Sequence, residues 1–332
     1  MPVSYANWME QTLDFSKTLK DISIPGSHDA GMYISINCSV GAGSCNTRTQ
    51  NQTMLGQLQA GMRYFDLRPV WTTGVLYTGH FSSVAVLGTE GCDGGTLVDI
   101  FNDVTNFLGQ GAKELVILKF SHYYDRDANV FSFNQSQYLT LVELVTGMLG
   151  DWLYVNDTGS RLADIPLSQI LGGSGKVLAV FDELPGDLVQ SGIYQYSDYS
   201  PPAPPPGKTC GDQLGAVSGD LSVYDKFTGT NDLQTMETDQ LDKLDCAVNH
   251  GGDLFLLSWT LTQSGGDATG CLLGLAPSII DLAQQAIDSI ESSLADHTIT
   301  SANIPNIVYM DVGPTQATDA CIAVNQRLGN NV

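Results

Sequence analysis

Apolar residues along this chain follow two periods that alternate. Short runs rich in β-branched and aromatic side chains occur at 21–25, 63–71, 75–81, 114–124, 176–182, 221–227, 254–262 and 306–312, and each reads as a strand. Between several of them, the segments 99–110, 137–149, 238–250 and 278–297 carry apolar residues three and four apart, which is the spacing of one helix face. Alternating strands and helices predict a parallel sheet with helices packed outside it. Eight such strands in 332 residues fit one α/β domain over 1–332, a single distorted (β/α)8 TIM-type barrel. The distortion is expected between 71 and 75, where too few residues remain for a crossover helix. The stretch "SPPAPPPGK" (200–208) excludes helix and central strand. It reads as a surface loop, since the strand pattern continues on both sides of it.

Composition supports a packed core, with 42% hydrophobic and 15% charged residues. Charge narrows the partners. Acidic residues number 36 against 14 basic ones, a formal net charge of −22, so nucleic acid is excluded and anionic surfaces repel the body of the protein. No stretch approaches 18 uninterrupted apolar residues. The start, "MPVSYANWMEQ", lacks both the basic and the apolar region of a secretory leader. Seven cysteines, an odd number without CxxC spacing, support neither a zinc site nor a redox motif and leave at least one thiol unpaired. Few lysines with abundant Asn, Thr, Gly and Ser point to a secreted, extracellular protein whose leader has been removed, in which Cys38 and Cys45 are placed to close a small loop.

Polar residues gather at the ends of the strand runs. His28 and Asp29 follow the first in "IPGSHDAG", Asp66 and Arg68 end "RYFDLRP", and His80 ends "LYTGH". Lys119 lies in "ELVILKFSHYY", Asp225 ends "SVYDKF" and Asp311 ends "NIVYMDVG". In a β/α barrel the C-terminal strand ends converge on one face, where the chemistry sits. Singly, each residue has an ordinary explanation: His28 and Asp29 can cap a turn, and Asp66 and Arg68, two apart, can neutralise each other. His122, His250 and His297 read as structural, the last two at helix C-termini. Together, two histidines, carboxylates to orient them, one arginine and one lysine form a general acid–base set around an anionic centre. That set implies phosphodiester chemistry without a metal. "LGGSGKV" (171–177) and "DRDANV" (125–130) imitate a phosphate loop and an EF-hand, but Val177 and Val130 occupy positions those motifs cannot spare.

The motifs "DISIPGSHDAGMY", "GMRYFDLRP", "LYTGH", "KELVILKF", "GKVLAVF", "SVYDKF", "LFLLSWTLTQSGG" and "NIVYMDVG", taken in order, resemble the successive strands of the bacterial phosphatidylinositol-specific phospholipase C family. The resemblance runs from about Trp8 to Asp311. It implies cleavage of phosphatidylinositol to diacylglycerol and inositol 1,2-cyclic phosphate. His28 would then be the general base supported by Asp311, and His80 the general acid partnered by Asp29. Arg68 would contact the phosphate, at the position where calcium-dependent relatives hold an acidic metal ligand, so neither metal nor cofactor is expected. Lys119, Asp225, Phe227 and Asp66 would line the substrate. The family's basic inositol contact is replaced here by Phe181 and Asp182, its stacking tyrosine by Phe227, and the glycine after its second histidine by Phe81, so headgroup contacts must differ. The implied partner is a phospholipid met by transient peripheral contact with a membrane surface, with no protein partner. The alternatives are the same chemistry on another phosphodiester with a neighbouring hydroxyl, and a silent barrel that binds lipid headgroups or glycans.

Overall fold

The computed structural model describes residues 3–84, 88–200, 217–246 and 254–331. Eight parallel strands close a barrel: β1 (Ile24–Ser27), β2 (Tyr64–Leu67), β6 (Leu115–Phe120), β8 (Lys176–Phe181), β9 (Ile193–Asp198), β10 (Leu221–Asp225), β11 (Leu254–Ser258) and β12 (Ile307–Met310), with β12 returning to β1. A second sheet stands beside it, built from β3 (Pro69–Thr72), β4 (Val75–Val84), β5 (Gly88–Thr96) and β7 (Tyr124–Asp125). The predicted helices are found at Leu97–Leu108, Gln135–Leu149, Leu233–Cys246 and Ile279–Asp296. The end of the third, with His250, lies outside the described residues, as do 201–208 of the proline-rich stretch.

Each strand divides its side chains between two cores. Phe65, Val116, Leu118, Ala179, Leu257 and Val308 pack with helix residues such as Ile100, Val145 and Ile290. Their neighbours Tyr64, Ile117, Leu178, Val180, Tyr196, Val223, Leu256, Ile307 and Tyr309 form the other cluster, inside the barrel. Gly26 belongs to the inward row of β1, where a Cβ would come within 2.9 Å of Ile307 and 3.2 Å of Tyr64. The Pro-Gly step is therefore a packing requirement as well as a turn signal. Below the barrel, the helix Trp8–Thr12 is fixed by a buried ion pair. Arg63 donates to Glu114 at 2.7 Å and to the carbonyls of Leu58, Met62 and Ala6, and Glu114 receives the Glu10 N–H.

Three expectations are corrected. The run 75–81 is not a barrel strand: 71 to 75 makes a hairpin, β3 and β4 pair antiparallel, and the predicted run 63–71 splits at Arg68 between the two sheets. The eighth barrel strand is instead β9, whose sequence "IYQYSD" lacks the continuous aliphatic run of a buried parallel strand. Its inward positions are filled by Tyr194 and Tyr196. Cys38 and Cys45 do not pair. Cys38 bonds Cys92 and Cys45 bonds Cys271, at sequence separations of 54 and 226, because the fold brings the loop after β1 against β5 and against the helix Gly265–Leu272. Cys321 is a free, buried thiol.

Candidate active site

The inward row of each barrel strand continues past its apolar residues to one final position at the C-terminal end. Stepping by two, these positions are His28, Asp66, Lys119, Asp182, Asp198, Asp225, Ser258 and Asp311. All eight are polar. A barrel interior filled with aliphatic and tyrosine side chains thus ends abruptly in a charged ring, which costs desolvation energy at every member that lacks a partner.

On the β12–β1–β2 side of the ring, the Asp311 carboxylate accepts from Nδ1 of His28 at 2.7 Å. Arg68 Nη2 donates to Nε2 of the same ring at 2.8 Å. A guanidinium only donates, so this arrangement presents the Nε2 lone pair to Arg68 and the Nδ1 proton to Asp311. The second pair comes from the satellite sheet, where His80 in the middle of β4 directs Nδ1 to Asp29 Oδ2 at 2.7 Å. Arg68 joins the two pairs, with Nη1 3.5 Å from Asp29 Oδ2 and Nε donating to Asp66 Oδ2 at 3.0 Å. Burial disfavours charge on Arg68, but Asp29 and Asp66 outweigh it and hold the guanidinium above its ordinary value. Asp66 is likewise buried, yet Arg68 and Lys119 keep its carboxyl well below the usual range. Its remaining lone pairs take Tyr309 Oη at 2.7 Å and Ser121 Oγ at 2.9 Å.

Backbone strain concentrates at this rim. Asp29, His122 and Val312, each just beyond a barrel strand, adopt φ of 44°, 56° and 71°. For a β-branched residue such as Val312 this costs on the order of 1–3 kcal/mol. The strain is held by its N–H, which donates to the Thr49 carbonyl at 2.8 Å, and it turns the chain sharply so that Asp311 stays against His28.

Next to Asp66, on β6, Lys119 Nζ donates to Asp225 Oδ2 at 2.8 Å and lies 4.7 Å from the centroid of the Tyr196 ring. Asp225 and Asp66 overcome burial and keep the ammonium charged. Phe227 lies two residues past β10 and is 58% exposed. The structure therefore brings together His28, Asp29, Arg68, His80, Asp66 and Asp311, and Lys119, on the adjacent strand β6 with its Nζ 4.0 Å from Asp66 Oδ1, links that group to Asp225.

Sequence reading passed over four neighbours of this site. Tyr196 and Asp198 came with the unrecognised strand, and Tyr309 was legible as the inward residue two before Asp311. His122, read as structural, lines a cleft of about 210 Å³ with Arg68, Val70, Phe81, Tyr124, Phe131 and Glu183. Ser121 Oγ gives its proton to Asp66 and accepts from His122 Nδ1 at 3.0 Å. The Arg68 charge, together with burial, pushes the imidazole down to about 4, so His122 is neutral near pH 7.

This architecture, a closed eight-stranded parallel barrel with flanking helices, is shared with solved structures of bacterial phosphatidylinositol-specific phospholipases C. The phosphatidylinositol-specific phospholipase C from Listeria monocytogenes superposes with a TM-score of 0.63 at 20% identity, over 97% of this chain and 99% of the other. A pentafluoro-Phe variant of the Staphylococcus aureus enzyme superposes with a TM-score of 0.63 at 18% identity, over 96% and 97%. In sequence, the chain is similar to the 1-phosphatidylinositol phosphodiesterase of Staphylococcus aureus (strain Newman), 28% identical over 145 residues, which is 41% of this chain and 43% of that protein. It is also similar to the PI-PLC X domain-containing protein 3 of Bos taurus, 31% identical over 151 residues, 37% of this chain and 43% of the relative. The chain spans less than half the length of these curated relatives. No family model matches it. The resemblance carried by the ordered motifs is thus borne out, both in sequence and in the barrel.

Proposed function

We propose that the protein cleaves phosphatidylinositol at the phosphorus–oxygen bond to diacylglycerol, with the inositol 2-hydroxyl as nucleophile. The observation that carries this reading is the pair of His–Asp couples meeting at one arginine, with the His28 lone pair fixed on Nε2. In this reading His28 Nε2 takes the hydroxyl proton as its imidazolium is stabilised by Asp311, and His80 gives its Nε2 proton to the departing diacylglycerol oxygen. Arg68 meets the charge that develops on the phosphoryl oxygens, as a fixed cation without metal. Tethering the nucleophile beside the phosphorus favours a cyclic first product, since effective molarities for such attack reach roughly 10⁵ M or more. Water enters afterwards with the two histidines in reversed roles, converting the cyclic phosphate slowly to inositol 1-phosphate. The sequence similarity to a 1-phosphatidylinositol phosphodiesterase and to a PI-PLC X domain-containing protein supports the substrate.

Access to lipid is read from the loops that follow β1 and β11 on the same barrel face. Val40 is 100% exposed, Leu273 71% and Leu275 80%, and the Cys45–Cys271 bond ties the two loops together. These apolar groups provide transient contact with a membrane surface that the net charge of −22 cannot provide. Long-range disulfides suit an oxidising, extracellular location. Phosphorus NMR of an early time point with phosphatidylinositol tests the chemistry: the cyclic phosphate signal is expected first, and a monoester that rises without it overturns the tethered mechanism.

A further inference from the structure

Five aspartates occupy the charged ring, and four of them are satisfied by the protein itself. Asp66 is held by Arg68, Tyr309 and Ser121, and Asp311 by His28. Asp225 is held by Lys119 and Tyr196. Asp198 accepts from the Ser200 N–H and hydroxyl and from the Asp225 N–H. Asp182 differs. Its N–H is tied to the Phe120 carbonyl at 3.1 Å, which fixes its backbone against β6. Its Oδ1 is nevertheless buried and has no hydrogen-bond partner.

Leu178 and Val180 are in the interior cluster, so Asp182 is the next inward position on β8, one step beyond Val180, which pairs with Lys119 on the neighbouring β6. A buried carboxyl oxygen without a donor carries an uncompensated desolvation cost. Nothing in the packing of β8 requires an acid here. A group at this position that supplies the missing donor would remove that cost on binding.

We propose that Asp182 is a headgroup-binding residue, whose Oδ1 accepts a hydrogen bond from a hydroxyl of the polyol headgroup held over the barrel mouth. The inference rests on the phosphatidylinositol reading above and adds to it a specificity contact. In its ionised form the group accepts only, so it then selects a hydroxyl donor at this position and disfavours an anionic substituent there. The charge-assisted contact is worth roughly tenfold or more in affinity. No hydrogen bond or ion pair joins Asp182 to His28, His80 or Arg68, so it acts on binding rather than on the proton transfers.

The test uses the full chain, phosphatidylinositol in detergent mixed micelles, and soluble phosphatidylinositol analogues in which one ring hydroxyl at a time is replaced by hydrogen. Asp182→Ala is expected to raise KM about tenfold with kcat within about twofold, and Asp182→Asn, which keeps an acceptor oxygen, to raise it less. For one deoxy analogue the wild type should lose about tenfold while Asp182→Ala loses nothing further. Unchanged KM in both folded variants, or full additivity of the Ala substitution with every deoxy analogue, overturns the proposal while leaving the phosphatidylinositol reading intact. Wild-type protein that fails to cleave phosphatidylinositol overturns that reading itself. Myo-inositol binding by calorimetry then tests Asp182 separately, and equal affinity for wild type and Asp182→Ala refutes its headgroup contact.

Discussion

Asp311→Ala isolates the contribution of a single carboxylate to the proposed base. In the structure Asp311 is 3% exposed, and its Oδ1 lies 2.7 Å from Nδ1 of His28. As His28 takes a proton, that neutral hydrogen bond becomes one between an imidazolium and a carboxylate, away from water. A hydrogen bond to a charged group contributes about 1.5–3 kcal/mol, and each 1.36 kcal/mol is tenfold in rate, which gives roughly 10- to 150-fold in kcat. The loss should sit near the upper end, about a hundredfold, because Asp311 also fixes which nitrogen carries the proton, and without it only Arg68 and the edge-on Tyr309 ring would restrain the imidazole. Asp311→Asn keeps an acceptor but no charge, so it should fall between the two, at roughly tenfold. The assay is initial-rate release of water-soluble phosphate from phosphatidylinositol in detergent micelles, with urea unfolding as the check on fold. A folded Asp311→Ala protein whose kcat stays within about threefold of wild type would refute the reasoning.

His80→Ala should lower kcat by about a hundredfold or more, and a substrate with a far better leaving group should recover most of that loss; equal losses on both substrates would remove His80 as the acid. Excess EDTA should leave activity unchanged and added calcium should not raise it, with Arg68→Asp crippling the enzyme; loss in EDTA that calcium restores contradicts the role given to the guanidinium. Replacing Val40, Leu273 and Leu275 by Ser should weaken sedimentation with neutral phosphatidylcholine vesicles while hydrolysis of a soluble substrate persists, and vesicle binding by the wild type should not fall steeply between low and physiological salt. Finally, burial pushes the Asp182 carboxyl up to about 7. The unfolded chain releases this proton near pH 4 and the folded chain holds it until about 7, so wild type loses stability as pH rises through that window. Asp182→Asn should therefore gain on wild type from pH 4 to 8, by on the order of 2 kcal/mol in urea unfolding. A gap that stays flat with pH contradicts the raised carboxyl.

Period and composition by themselves determined a parallel α/β barrel, the position of most of its strands, and the polar residues that end them, because a strand buried on both faces must be a continuous apolar run and chemistry can begin only where that run stops. "IPGSHD", "YFDLR" and "YMDVG" are legible for this reason. What the local pattern could not carry depends on partners distant in the chain. In the strand "IYQYSD", Tyr196 can face inward because Lys119 and Asp225 meet its ring and hydroxyl, and Tyr194 because its hydroxyl is paired with the backbone of Tyr154 and Asn156. The run containing His80 looks like a barrel strand, but the tight turn at Thr73 and Gly74, with φ of 50° and 82°, folds it back as a hairpin beside the barrel. Disulfide pairing follows loop proximity, not spacing, so Cys45 reaches Cys271 across most of the chain. The neutral state of His122 and the unpaired oxygen of Asp182 are decided later still. Each is set by which charges surround a side chain once all eight strand ends converge, and electrostatic fields of that kind belong to the closed ring rather than to any segment of it.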